Sequence, residues 1–383
     1  MNNLSLSGLR VLDFSWVMAG PMSTKMLGAM GAEIIKIESP EGDLFRYSGT
    51  PSNTQGMSPL HLILNQGKAS VVLDLKLEDD RDALRALIPT ADLFIHNIRL
   101  DAIRRLGFDY DAVRAIKPDI VYAHLTGFGS GGPYDGVQAY DDIIQAATGI
   151  TTLLPRADGN AQPRYMPMAI ADKVSGLYAT HAVVAALFHR ARTGEGQAVE
   201  VPMFESIAHF TLLEHLGGAV HVPPTGPVGY ARQVDPNRQP FRTRDGWITV
   251  VPYGDRKWVE FFQLVGRADV LEDERLATRE ARAKNQTVMF SHMHTIFAER
   301  TTADWVSLLR PAGIPIMPVV DLDALPEHPQ LLASRLLVDA AHPTEGTYKA
   351  LMSPVRFSAD PGPQAPASPA PLLGEHTALV SRR

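Results

Sequence analysis

The chain has 383 residues, enough for two domains of ordinary size, and 45% of them are hydrophobic, enough for a packed core. A formal net charge of −6 gives no reason to expect nucleic acid or an acidic membrane surface as the main partner. There is no cysteine, which excludes disulfides, thiolate metal sites and a cysteine nucleophile, and fits a reducing cytoplasm. No apolar run approaches the roughly 18 residues of a membrane-spanning helix, and MNNLSLSGLRVLDFSW carries no basic segment ahead of an apolar one, so a cytoplasmic protein is expected.

Val11 to Phe14 reads as a short strand, WVMAG as a turn, PMSTKMLGAM as a helix opened by Pro21 and closed by Gly31, and AEIIKIE as a second strand. Strand, helix and strand with short links imply a right-handed parallel crossover, whose first loop lies at the ligand-binding edge of a sheet. A strand over 71–75, a charged helix from Asp79 to Ile88, the strand ADLFIHN and short helices over 100–116 continue the α/β alternation. Strand DIVYAHLT then runs into GFGSGGP, where Gly127, Gly129 and Gly132 spell a dinucleotide-binding G-x-G-x-x-G. Pro133, Tyr134, Asp135 and Gly136 follow in place of an apolar helix, so a loop is the better reading. Tyr140 and Asp141 stand just before the next helix.

The segment 165–204 follows. Val174, Leu177, Tyr178, His181, Val184, Ala185 and Phe188 recur at helical spacing, with Asp172 where that helix begins. Arg190 and Arg192 fall in its last turn, Gly194 and Gly196 stop it, and AVEVPMF is extended. Asp172 reads as an N-cap or as a carboxylate that the helix N-terminus holds ionised and aims at a ligand, and the two roles are not exclusive. Residues 217–247, rich in Gly, Pro and Arg, read as a linker; Arg232, Arg238, Arg242 and Arg244 in it are solvated charges, dimer contacts or partners for a second carboxylate. GWITVVP is a strand, KWVEFFQLVG a helix, Thr301 and Asp304 a capping-box start, GIPIMPV extended, and ADPGPQAPASPAP a stiff extended tail. The histidines, including HMH at 292–294 and the pair His209 and His215, lack a metal-binding arrangement, and no metal is expected.

GLRVLDFSWVMAGP, LGAMGAEIIKIE, GDLFR, NQGKASVVLDLK, ADLFIHN, GFGSGGP and the R-x-x-T-G-x-G-Q stretch Arg190 to Gln197 together resemble the class III CoA-transferases of the CaiB/BaiF type, and the likeness covers essentially the whole chain. The resemblance implies an α/β fold with a Rossmann-like large domain and a smaller inserted α/β domain: 1–217 large domain, 218–245 linker, 246–320 small domain, 321–383 linker and return. It further implies an interlocked homodimer, coenzyme A and acyl-CoA as substrates with no tightly bound cofactor, and a carboxylic acid as the other partner. By the same likeness Asp172 is the nucleophile, Val17, Met18 and Ala19 line the CoA site, and Arg46, Leu73, Lys76, Asn97, Arg105, Tyr140 and Asp141 contribute to binding. Met18 stands where the family often has Gln, and Gln66 where it has Arg. The racemase branch places a histidine where Tyr140 stands, and a neutral tyrosine is a poor base at pH 7, which favours transfer. A binding protein that has lost the chemistry is the remaining alternative.

Overall fold

The computed structural model describes residues 4–358 and 368–380; most of the proline-rich tail expected over 359–371 lies outside them. The chain divides into two compact units, one of residues 1–150, 165–212 and 329–383, the other of 151–164 and 213–328. The second unit therefore claims a short segment, 151–164, that the sequence reading leaves in the large domain. Arg156 explains part of this, since its guanidinium donates to the carbonyl of Val228 at 3.2 Å.

In the first unit six strands form one sheet: β1 (Arg10–Phe14), β2 (Glu33–Glu38), β3 (Lys68–Val72), β4 (Leu93–His96), β5 (Val121–Thr126) and β6 (Ala198–Pro202). Their order is β3-β2-β1-β4-β5-β6 and every neighbouring pair is parallel. Such a sheet is covered on both faces, which is why its central strands read as nearly continuous apolar runs. Alternation still sorts them. Leu12, Ile35, Ile37 and Phe94 join one core with Leu84 and Phe108, while Val11, Ile34, Leu93 and Ile95 join another with Ala179, Val183 and Ala186 of the helix Ile170–Thr193.

The strand expected over 71–75 lies earlier, at Lys68–Val72. The cause is Lys68, a residue that reads as exposed but is buried with its amino group 3.1 Å from the Asp13 carboxylate and 3.0 Å from the Pro21 carbonyl. A two-stranded antiparallel hairpin, β10 (Leu337–His342) with β11 (Gly346–Leu351), completes the described part of this unit's strands.

The second unit holds an antiparallel sheet β7-β8-β9 (Phe241–Arg242, Trp247–Val250 and Ile316–Pro318) over a core that includes Phe261, Phe262, Met293, Phe297 and Trp305. Trp305 donates its indole N–H to the Phe297 carbonyl at 2.9 Å. The capping box at Thr301 forms with both of its hydrogen bonds. Among the described residues no helix is long and apolar enough to cross a membrane.

Candidate active site

A strand order of 3-2-1-4-5-6 reverses direction between β1 and β4, so the loops leaving those two strands diverge and open a crevice at their C-terminal ends. A cleft of about 500 Å³ occupies this position, lined by Val17 and Ala19 after β1, Asn97 to Asp101 and Arg104 after β4, His124 to Gly127 at the end of β5, Tyr140 and Asp172. All of these belong to the first unit.

The β1 loop is held in an unusual shape by buried charge. Val17 has φ 67°, a left-handed conformation that a β-branched residue rarely adopts. Its N–H donates to Asp43 Oδ1 at 3.1 Å, and Asp43 Oδ2 accepts from Lys36 Nζ at 2.9 Å. Lys36 Nζ also donates to the Ser15 carbonyl at 2.7 Å. Both partners are essentially inaccessible to water. Burial opposes the charge on Lys36, but Asp43, Asp13 and Glu38 outweigh it and hold the ammonium above its ordinary value. Asn97 ties the β4 loop to the same place: its side-chain carbonyl accepts from Trp16 N at 3.0 Å and its amide donates to Trp16 O at 2.8 Å.

Asp172 does not cap its helix. The helix starts at Ile170, its N-cap position is Ala169 without any side-chain cap, and Asp172 stands in the first turn. Asp141 does the capping from another helix, Asp141–Ala147: its Oδ1 accepts the N–H groups of Ala171 at 2.7 Å and Asp172 at 3.1 Å, and its Oδ2 accepts from Gln145 Nε2 at 2.6 Å. The expectation that the helix terminus holds Asp172 ionised is thereby corrected. The stabilising end of the helix is taken by Asp141, and what Asp172 receives is a desolvated site beside a second carboxylate. Burial first, then repulsion from Asp141, raise the Asp172 carboxyl to about 7. Among the described residues nothing donates a hydrogen bond to its carboxylate oxygens.

Gly176, one turn on, sets the distance between this helix and the β1 loop. A Cβ there would lie 2.8 Å from the Ala19 carbonyl oxygen, closer than such contacts come, so only glycine permits this approach. Gly176→Ala is expected to cost about 1–3 kcal/mol of stability, more than the roughly 1 kcal/mol gained in helix propensity, and to lower turnover as Asp172 is pushed from Ala19. Thermal melting together with steady-state kinetics checks this, and a variant with wild-type stability and rate contradicts it.

The remaining expected site residues divide. Val17, Ala19, Asn97 and Tyr140 line the cleft with Asp172; Tyr140 is 58% exposed and its hydroxyl accepts from Gln138 at 2.8 Å. Met18 is the N-cap residue of the helix Ala19–Ala29 and supplies no side-chain cap, so among the described residues no side chain caps that first turn. Arg46 is corrected from a phosphate ligand to a structural cation. It is 1% exposed, and its donors are spent on the Glu38 carboxylate, the carbonyls of Gly56 and Pro371, and Ser70 Oγ. Leu73 is buried in the core, and Asp141 caps a helix and is not among the residues lining the cleft. Lys76 and Arg105 are exposed but do not line the cleft; Arg105 lies 3.4 Å from Asp101, and it is Arg99 and Arg104 that stand on the cleft.

The sequence reading missed His124. It lies at the C-terminal end of β5 in register with His96 on β4, and the two rings stack at 4.6 Å. Burial holds both below the ordinary histidine value, and His124 donates Nε2–H to the Ile98 carbonyl at 3.1 Å. The available signal was position, a histidine at the ligand edge of a parallel strand. The Arg190 to Gln197 stretch, by contrast, is architectural. Arg190 bridges Asp92 at 2.7 Å and Asp119, Gly194 takes φ 77° at the helix end, and a Cβ on Gly196 would collide with the Ile120 carbonyl.

Residues 6–377 match CoA-transferase family III. The succinate–glutarate CoA-transferase of Agrobacterium fabrum is 30% identical over 384 residues, spanning 98% of this chain and 94% of that protein. The formyl-CoA:oxalate CoA-transferase of Streptomyces avermitilis is 30% identical over 411 residues, with 98% and 94% covered. The crystal structure of a CaiB/BaiF family protein from Brucella suis superposes with a TM-score of 0.81 at 30% identity, covering 99% of this chain and 98% of that one. The chain belongs to CoA-transferase family III, and with it to the acyl-CoA:carboxylate CoA-transferases.

Proposed function

We propose that Asp172 is the nucleophile that carries CoA from an acyl-CoA donor to a carboxylic acid acceptor. What supports this most is its setting, a carboxylate without hydrogen bonds, desolvated and facing a cleft at the topological switch point. Stripped of donors, such an anion keeps its reactivity toward a carbonyl. One Asp172 oxygen attacks the thioester carbonyl, the C–S bond breaks, and a mixed anhydride forms with CoA thiolate released. The thiolate attacks the aspartyl carbonyl, the donor acid leaves as carboxylate, and an aspartyl-CoA thioester remains. The acceptor carboxylate then attacks that carbonyl and expels the thiolate, giving a second anhydride; the thiolate attacks the acceptor's acyl carbon and frees Asp172. One thioester replaces another, so no nucleotide is consumed. The uncapped first turn at Ala19 supplies donors for a carbonyl oxygen as it becomes negative, and Arg99 and Arg104 supply positive charge for CoA phosphates.

The experiment is a pH profile. In the free enzyme kcat/KM is expected to rise with pH through about 7, where Asp172 ionises. Asp141→Asn keeps a capping side chain but removes the repelling charge, so the rising limb should move to lower pH. An unmoved limb would separate Asp172 from the ionisation that matters. Relatives named for succinate, glutarate and oxalate support a dicarboxylic acceptor, tested with a panel of mono- and dicarboxylic acids.

We assign the protein to the cytoplasm and to an interlocked homodimer. Large apolar side chains stand exposed on two helices of the first unit, Leu177 and Phe188 on Ile170–Thr193 and Phe210 on Met203–His215, with Phe188 63% exposed. Such surface asks for a partner. Light scattering in dilute solution should give the mass of two chains; a single chain's mass removes the assignment.

A further inference from the structure

We infer that the second unit carries its own binding site for a small organic carboxylate, held by Arg232 and Arg238. Four arginines crowd residues 232–244, and the structure separates them. Arg242 lies over the Trp247 ring at 5.2 Å, and Arg244 is exposed. Arg232 and Arg238 instead line one cavity of about 180 Å³, whose other walls include Phe241, Val250, Trp258 and Phe290. All of these residues belong to the second unit.

No described residue forms a salt bridge with this pair, and neither guanidinium makes a side-chain hydrogen bond to another described residue. Both are partly buried, and burial together with the nearby charge of Arg232 works against the charge on Arg238. Glu214 acts on Arg238 from a distance, and its carboxylate accepts from Gln233 at 3.2 Å and lies 3.6 Å from His215. An arginine does not shed its proton, so two like charges share a partly desolvated pocket. Burial and the like charge outweigh the pull of Glu214 on Arg238, an imbalance that an anion in the pocket would relieve.

The walls say which anion. A bare inorganic ion would leave the apolar lining of Trp258, Phe241 and Phe290 unused, whereas an organic acid sets its carboxylate by the guanidiniums and its apolar body against that lining. The volume falls below the roughly 300–1,000 Å³ of pockets for drug-sized ligands, which restricts the guest to a small acid and excludes a CoA thioester. The site is built wholly from residues of the second unit, and none of them is shared with the Asp172 cleft.

Benzoate is the probe, titrated calorimetrically into the full chain without CoA, with inorganic phosphate as comparator. Benzoate is expected to bind wild type and Asp172→Asn alike, and at least about tenfold more weakly to Arg232→Gln/Arg238→Gln, as loss of a charge-assisted pair implies. Arg238→Lys, which keeps the charge and loses the fork, should fall between them. Trp258→Phe keeps an aromatic wall and should retain binding while removing any benzoate-induced change in that indole's fluorescence. Three results overturn the inference: no benzoate binding to wild type, equal binding to the double variant, or loss of binding on Asp172→Asn. Phosphate bound as tightly as benzoate would reduce the site to one for inorganic anions and overturn the carboxylate assignment. Should the double variant fail to fold, Arg232→Gln alone gives the same comparison.

Discussion

Asp172→Asn is expected to yield a protein that folds, melts higher than wild type above neutral pH, and no longer exchanges CoA. The amide cannot form an anhydride, so turnover should drop by at least about a thousandfold, as when other covalent nucleophiles are removed. Folding should survive because the helix is capped by Asp141, not by Asp172. The stability gain follows from the sign of the linkage. A carboxyl raised from 3.8 to about 7 on folding binds its proton more tightly in the native state, so its contribution is fully present below pH 3.8 and is lost as pH rises through 7. The wild type therefore carries a deficit of roughly 4 kcal/mol or less at pH 8 that the asparagine variant escapes. Melting temperatures of the two should converge toward pH 4 and separate by pH 8. A variant less stable than wild type at pH 8 would show that Asp172 is a structural partner after all.

The second large effect lies beneath the β1 loop. Lys36→Met should cost about 3–5 kcal/mol, because it leaves Asp43 buried with its cation gone and releases the Ser15 carbonyl. Val17 would lose the scaffold that holds its left-handed backbone, so the surviving enzyme should also show a raised KM for acyl-CoA. Lys36→Met/Asp43→Leu removes both charges and should recover part of the stability but not the KM, since the Val17 N–H still lacks its acceptor. Denaturant titrations beside initial rates read both quantities. A single variant within about 0.5 kcal/mol of wild type would make this network dispensable.

What could be read from the sequence was whatever depends on period and punctuation. The alternation from Val11 to Glu38 exposes the first crossover, and helical spacing after Asp172 exposes its helix, because each follows from burying one face. Gly194 shows the end of that helix, since its φ of 77° suits glycine. What escaped depends on partners distant in the chain. Asp141 caps a helix 30 residues away, and nothing local marks that bond. Arg46 reads as a phosphate ligand until Glu38 and the carbonyl of Pro371, 325 residues on, are seen to take its donors. Lys68 hides a strand start because a lysine suggests solvent, yet Asp13 and Thr24 receive it inside. His96 and His124 meet only through the pairing of β4 with β5.

The central claim is that a covalent bond forms at Asp172. The measurement is mass spectrometry of the protein incubated with succinyl-CoA, without acceptor acid, and then quenched with hydroxylamine. The peptide containing Met168 to Lys173 should carry a hydroxamate on Asp172, absent when acyl-CoA is omitted and absent from Asp172→Asn. An unmodified peptide, a label on another residue, or continued CoA exchange by Asp172→Asn at near wild-type rate would contradict the account.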